Sequence, residues 1–185
     1  MKSFRQFAEE KKKTLVTAFG RFNPPTIGHE KLITKVAKVA GKNDYHIYPS
    51  QSQDAKKNPL SYKDKVKFMR KMYPKHARNI YMDKDIKMVL HIADRAYKEG
   101  YTEFIYVAGS DRVNEFKVLL NKYNGKERKD GFYDFKDGIQ IVSAGDRDPD
   151  AEGVSGMSAS KMRAAAAEND LGLFSTGLPK NFGEV

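Results

Sequence analysis

Strand-type and helix-type segments alternate along this chain, which predicts an α/β fold: a parallel sheet carrying helices on both faces. Three observations predict it. Short apolar, β-rich runs such as 14–19 and 104–108 alternate with stretches of helical period such as 32–40 and 86–97. The 185 residues can bury one good core, and 39% hydrophobic with 31% charged residues argues against wholesale disorder. Three loops, 20–28, 109–112 and the one before Met157, fall at carboxyl ends of strands, where such sheets bind ligands near their switch point. The expected architecture is a Rossmann-like, doubly wound sheet.

Each element has its own signature. Residues 1–13 read as a short amphipathic helix with Phe4 and Phe7 on one side, an appendage to a domain spanning 14–170. Residues 171–185 read as a C-terminal tail. After the strand at 14–19, Leu32, Ile33, Val36, Ala37 and Ala40 recur at helical spacing. A second strand at 45–48 leads into a polar loop over 50–59. Tyr62, Val66, Met69 and Tyr73 then mark a helix that Pro74 stops, and 79–82 reads as a short strand. Ile86, Val89, Leu90, Ala93, Ala96 and Tyr97 give the clearest helical period, ended by Gly100 at a C′ position. The strand at 104–108 precedes a helix carrying Val113, Phe116, Leu120 and Tyr123. The polar, glycine-containing stretch 124–138 is expected to be a surface insertion. A strand at 139–142 and an alanine-rich helix over 157–168 complete the pattern.

Composition excludes several chemistries. Without cysteine there are no disulfides, no thiolate nucleophile and no Cys-based zinc site. No apolar run approaches a membrane span, and no apolar stretch follows the N-terminal charges as in a secretory signal, so a cytoplasmic setting is expected. The net charge of +10 is uneven: residues 1–75 hold 18 Lys/Arg against 6 Asp/Glu, and residues 76–185 hold 16 against 18. Such a basic half suits a polyanion, either nucleic acid or a small phosphate-rich ligand, unless it is simply a solvated lysine-rich face.

The loop over 20–29, Gly-Arg-Phe-Asn-Pro-Pro-Thr-Ile-Gly-His, has the parts of a phosphate site. Gly20 and Gly28 permit close backbone approach, and Pro24 and Pro25 stiffen the turn. Thr26 to His29 fall near a helix N-terminus, whose free N–H groups attract anions, and His29 can donate to a phosphate oxygen. The same residues are also consistent with an N-capping turn and a structural histidine.

This segment resembles the (H/T)xGH signature of the nucleotidylyltransferase superfamily, which includes nicotinamide-mononucleotide, phosphopantetheine and cytidylyl transferases. Met157 to Arg163, with Ser158, Ser160 and Arg163, is similar to the family's Ser-Ser-Thr-x-x-Arg motif, although Ala159 replaces the middle serine. The two motifs stand in the family order, about 130 residues apart, and the resemblance spans roughly residues 14–168. It implies His29, Arg163 and Thr26 as catalytic residues. Gly20, Arg21, Phe22, Gly28, Ser158 and Ser160 would bind nucleotide and phosphates.

Ser158 and Ser160 at a helix start can meet the β- and γ-phosphates, and Arg163 one turn on can reach the same oxygens. A plain serine N-cap with a solvent-facing arginine is the alternative. Gly109 to Arg112 is similar to the family's Gly-x-Asp segment, making Gly109 and Asp111 candidates for contact with base, ribose or a metal-bound water; an aspartate N-cap is the alternative. Lys56 and Lys57 are candidates for the acceptor phosphate, as is Arg70, against solvated surface cations.

The implied reaction transfers a nucleoside monophosphate from ATP, or alternatively CTP, to a small phosphorylated acceptor with release of pyrophosphate. Mg²⁺ would accompany the triphosphate, with no side chain assigned as its ligand. The Gly-Arg-Phe-x-Pro opening is most similar to nicotinamide-mononucleotide adenylyltransferases and so to NAD biosynthesis, while 152–158 matches the cytidylyltransferase Arg-Thr-x-Gly-Ile-Ser-Thr segment only in part. A homo-oligomer is compatible with this reading, whereas a membrane or nucleic-acid partner is not expected. The reading from another class is a non-catalytic binder of nucleotide or nucleic acid. Finally, Met1 to Glu9 resembles the leader of tailed-phage head proteins, cleaved after hydrophobic-x-Glu at Phe7-Ala8-Glu9, which implies a phage-encoded protein in an infected host cell, with packaging in the virion head as a further expectation.

Overall fold

A computed structural model describes residues 11–145, 157–180 and 182. The expected helix and leader over 1–13 lie outside the described residues except for Lys11 to Lys13, which are exposed and not helical. The core is a sheet of four parallel strands: β1 (Thr14–Gly20), β2 (Asp44–Pro49), β3 (Glu103–Ala108) and β4 (Ile139–Ser143), in spatial order β2-β1-β3-β4. The chain winds outward from β1 to β2, returns, and winds the other way from β3 to β4. The switch point therefore falls between the ends of β1 and β3.

Strand alternation divides the core in two. Val16, Ala18, Ile47 and Val107 face one side, where α1 (Ile27–Ala40) contributes Ile33, Val36 and Ala40, and α2 (Tyr62–Met72) contributes Val66, Met69 and Met72. Leu15, Tyr48, Phe104 and Tyr106 face the other side, against Val89, Leu90, Ile92, Ala93 and Ala96 of α3 (Val89–Lys98) and Phe116 and Leu120 of α4 (Val113–Tyr123). Helices on both faces are what the expected fold class requires.

Three local expectations need correction. The strand expected over 79–82 is a single parallel bridge from Ile80 to Ile47; a 3₁₀ turn, Pro74–Asn79, takes up the chain first, because Pro74 opens such a turn as readily as it stops a helix. The helix expected from Ile86 begins at Val89, with Ile86 buried ahead of it. The stretch 124–138 is no surface insertion: Tyr133 and Phe135 are fully buried, Tyr133 donates from its hydroxyl to the Leu120 carbonyl at 2.7 Å, and Phe135 stacks on Phe104. Its polar residues have a structural use, since Arg128 forms a buried pair with Asp94.

Near the end of the chain, α5 (Ala159–Ala167) is capped by Ser158 and followed by a short α6 (Leu171–Ser175). Leu178 and Phe182 then pack against the α1–α2 side of the core, Phe182 edge-on to Phe68. The described residues beyond 170 thus carry structure and core contacts. No helix among the described residues is long and apolar enough to cross a membrane.

Candidate active site

The loop after β1 is held in one shape by its own side chains. Phe22 is buried with φ 45°, and its ring lies over Gly20, where a Cβ would stand 2.9 Å from it; that close approach is the reason for glycine at the strand end. Asn23, also buried, donates its amide to the Leu60 carbonyl (3.2 Å) and accepts from the Leu60 N–H (3.0 Å), which ties this loop to the end of the 50–60 loop. Ser50, just past β2, donates its N–H to the Gly20 carbonyl at 2.7 Å. The two loops are therefore tied together at both ends.

Thr26 caps α1, and His29 completes a capping box in the place usually held by Glu or Gln. The Thr26 hydroxyl accepts from the His29 N–H at 3.4 Å, and the Thr26 N–H donates to His29 Nδ1 at 3.0 Å. An N–H pointing at Nδ1 requires a lone pair there, so the ring proton sits on Nε2. The ring is further oriented by an edge contact with Phe22 at 5.0 Å between centroids. Beneath it, Tyr73, fully buried, donates its hydroxyl to the Thr26 carbonyl at 2.5 Å. Burial pushes the Tyr73 phenol pKa well up, so it remains a donor.

The second motif meets the first across 140 residues of chain. Arg163, one turn into α5, donates through Nη1 to the Asn23 carbonyl (2.7 Å) and through Nη2 to the Ser160 hydroxyl (3.0 Å). Ser158 accepts from the Lys161 N–H at 3.2 Å, the ordinary cap, and its hydroxyl proton can still be donated. Gly28 has Met157 beside it, a Cβ there standing 3.9 Å from the Met157 carbonyl oxygen. Gly177 is wedged so closely against Met157 and Met162 that a Cβ would overlap them, and its carbonyl accepts from the Ile27 N–H at 3.0 Å. The N-termini of α1 and α5 are thereby fastened side by side at the strand ends.

The other expected residues are placed less tightly. Gly109 and Asp111 lie at the end of β3, on the other side of the switch point; Asp111 is exposed in the 3₁₀ turn Ser110–Arg112 and does not cap α4, whose N-cap is Arg112 without a side-chain bond. Arg21 is exposed at the loop's start. Lys56 and Lys57 are exposed on a turn organised by Asp54, whose carboxylate accepts from both of their N–H groups (3.0 and 2.7 Å). The Lys57 N–H above all, then the Asn58 side-chain amide and the Lys56 N–H, hold the Asp54 pKa down to about 2. Arg70, exposed, donates from Nε and Nη2 to the Ile80 carbonyl (3.2 and 2.7 Å).

Sequence reading missed three supports of this site. Asn23 carries both the Leu60 and the Arg163 contacts, Tyr73 braces Thr26, and Lys65, fully buried on α2, donates to the Ser50 carbonyl at 2.7 Å. Burial lowers the Lys65 pKa to about 8. A lysine on the apolar stripe of α2, between Tyr62 and Val66, was the available signal.

Comparison with known proteins places these observations in a family. A family model described as cytidylyltransferase-like matches residues 17–164, which takes in both motifs. A solved structure of a protein assigned as a nicotinate-nucleotide adenylyltransferase, from Vibrio parahaemolyticus, superposes with a TM-score of 0.53 at 15% identity over 93% of this chain and 97% of that one; at that identity it supports the fold. Comparison with curated proteins gives no match. With the family match covering most of the chain, the protein belongs to the cytidylyltransferase-like family and is a nucleotidylyltransferase.

Proposed function

We propose that the chain transfers AMP from ATP to a small phosphate-bearing acceptor, most similar to a nicotinamide or nicotinate mononucleotide, with release of pyrophosphate. The observation that carries this reading is the Arg163–Asn23 contact, which brings the start of α5 onto the His29 loop at the switch point. Two adjacent helix N-termini, with a histidine and an arginine between them, suit the several negative charges of a triphosphate.

In this reading an acceptor phosphate oxygen attacks the α-phosphorus in line. A P–O bond forms there as the bond to the bridging oxygen of the β-phosphate breaks, and the electron pair leaves with pyrophosphate. No covalent intermediate with the protein is needed. His29 donates from Nε2 to a phosphate oxygen, with Thr26 fixing its tautomer; Arg163, Ser158 and Ser160 take the charge that accumulates on the leaving β- and γ-phosphates. Gly20, Arg21, Phe22 and Gly28 form the backbone wall against the nucleotide. Lys56 and Lys57 meet the acceptor phosphate, and Gly109 and Asp111 meet base or ribose.

Mg²⁺ would add charge neutralisation on the phosphate oxygens. Among the described residues no three His, Cys, Asp or Glu side chains are grouped to hold a metal, and Asp111 is the residue that would meet a metal-bound water. A second reading, cytidylyl transfer from CTP, is favoured by the description of the matching family. The deciding experiment is a pyrophosphate-release screen crossing ATP and CTP with nicotinamide and nicotinate mononucleotides, phosphopantetheine and phospho-alcohols. ATP-dependent release with a mononucleotide supports the first reading; release only with CTP and a phospho-alcohol replaces it with the second.

A further inference from the structure

The catalytic motifs account for few of the cations behind the charge of +10. Residues 27–79 hold 13 Lys/Arg against 4 Asp/Glu. On α1, Lys31, Lys35 and Lys38 recur at three- and four-residue spacing, and on α2 Lys63, Lys67 and Lys71 recur every fourth residue, so each set forms one ridge. The opposite sides of both helices are buried in the same cluster against the same sheet face. Both ridges therefore look outward on one surface, and Lys75 and Arg78, exposed in the following 3₁₀ turn, extend it.

Elsewhere several cations are paired, the arginines above all, although lysines such as Lys117, Lys122 and Lys126 are also without a carboxylate within 4.0 Å among the described residues. Arg95 pairs with Asp83 and Asp85, Arg112 with Glu115, Arg128 with Asp94 and Asp130, and Lys12 with Glu103. None of the six ridge lysines has a carboxylate within 4.0 Å among the described residues. Like charges one turn apart repel.

The surface also lacks what other partners need. The exposed large apolar residues, such as Tyr81, Met88, Val118 and Leu171, all belong to other segments. A protein interface is anchored by buried aromatic or aliphatic groups, and a membrane-surface helix inserts an apolar face. A phosphate backbone asks only for closely spaced cations.

We propose that the outer surface of α1 and α2 binds the phosphate backbone of a nucleic-acid strand. This goes beyond the nucleotidyl-transfer reading and does not depend on it. The ridge lysines lie on the outer faces of two helices, outside the two motifs, so a nucleotide bound at the motifs does not account for them.

The test is fluorescence anisotropy of the full chain with labelled single-stranded RNA and duplex DNA of about 20 units, across a salt series. Binding should weaken linearly in log salt. The triple reversal Lys63→Glu, Lys67→Glu, Lys71→Glu should lower affinity at least about tenfold and flatten that dependence by about two to three units of slope. A control reversing the same charge elsewhere, Lys117→Glu, Lys122→Glu, Lys126→Glu, should lose much less. Should the ridge variant fail to fold, the neutral triple to Gln replaces it, with a smaller loss expected in the same direction. The proposal is overturned if the wild type shows no salt-dependent binding, if ridge and control variants lose equally, or if the ridge variant loses only its binding to phosphatidylserine vesicles. Pyrophosphate release is measured alongside, so a failed transferase reading is seen separately from a failed nucleic-acid surface.

Discussion

His29 does two jobs that can be separated. As the N3 member of a capping box it stabilises α1, and as an Nε2–H donor it is assigned to transition-state charge. His29→Ala should lower kcat by about 10² to 10³, equivalent to roughly 3 to 4 kcal/mol, by analogy with loss of an oxyanion donor. Loss of the cap alone costs only about 1 kcal/mol of stability. Pyrophosphate release and thermal unfolding measured on the same variant separate the two, and near-normal turnover in a folded His29→Ala protein would remove the catalytic role. Both His29 and Arg163 were legible in the sequence because each sits in a short motif of fixed spacing. Their meeting point was not, since the Asn23 carbonyl is backbone, and any residue at that position offers one.

At the scale of elements, the alternation of strands and helices was legible because apolar period differs between them, and β1, β3, α1 and α4 follow it closely. What escaped were segments whose apolar residues are few and decisive. The 124–138 stretch reads as polar, yet Tyr133 and Phe135 fill the α3–α4 side of the core, so Phe135→Ala should cost about 3 to 5 kcal/mol in urea unfolding. A surface loop would lose well under 1 kcal/mol. Tyr73 escaped for a related reason: helical period places it inward but says nothing of its hydroxyl. Tyr73→Phe removes one of two donors from the Thr26 carbonyl, which keeps the His29 N–H at 3.0 Å, and should destabilise by about 1 kcal/mol. If Thr26 positions His29 as proposed, kcat should fall as well, whereas a purely structural tyrosine would leave kcat alone.

For the molecule as a whole, two buried histidines outside the two motifs make stability depend on pH. His46 on β2 is 8% exposed, stacks on Tyr81 with centroids 4.1 Å apart, and lies within hydrogen-bond distance of the Tyr48 hydroxyl. Burial lowers its pKa to about 4, with Lys13 adding to the shift and the Asp44 carboxylate opposing it. His76, beside the Tyr45 hydroxyl, is lowered in the same direction, again chiefly by burial. Unfolding returns both rings to the ordinary value of 6.5. Between that value and about 4 the unfolded chain binds a proton that folded His46 refuses, so this stability is complete above 6.5 and falls as the pH falls. For His46 alone the loss by about pH 5 is about 2 kcal/mol. The carboxylates with lowered values, Asp54, Glu115 and Asp130, work in the same sense from their ordinary values of 3.8 to 4.5 downward, so they contribute little at about pH 5 and above. Urea unfolding at about pH 7.5 and pH 5 should therefore show a clear drop in the wild type. His46→Phe keeps a ring against Tyr81, lacks the titration and should flatten most of that drop. It also loses the Tyr48 contact, so its stability at neutral pH is the wrong readout, and an unchanged slope between the two pH values would show that His46 is not the group responsible.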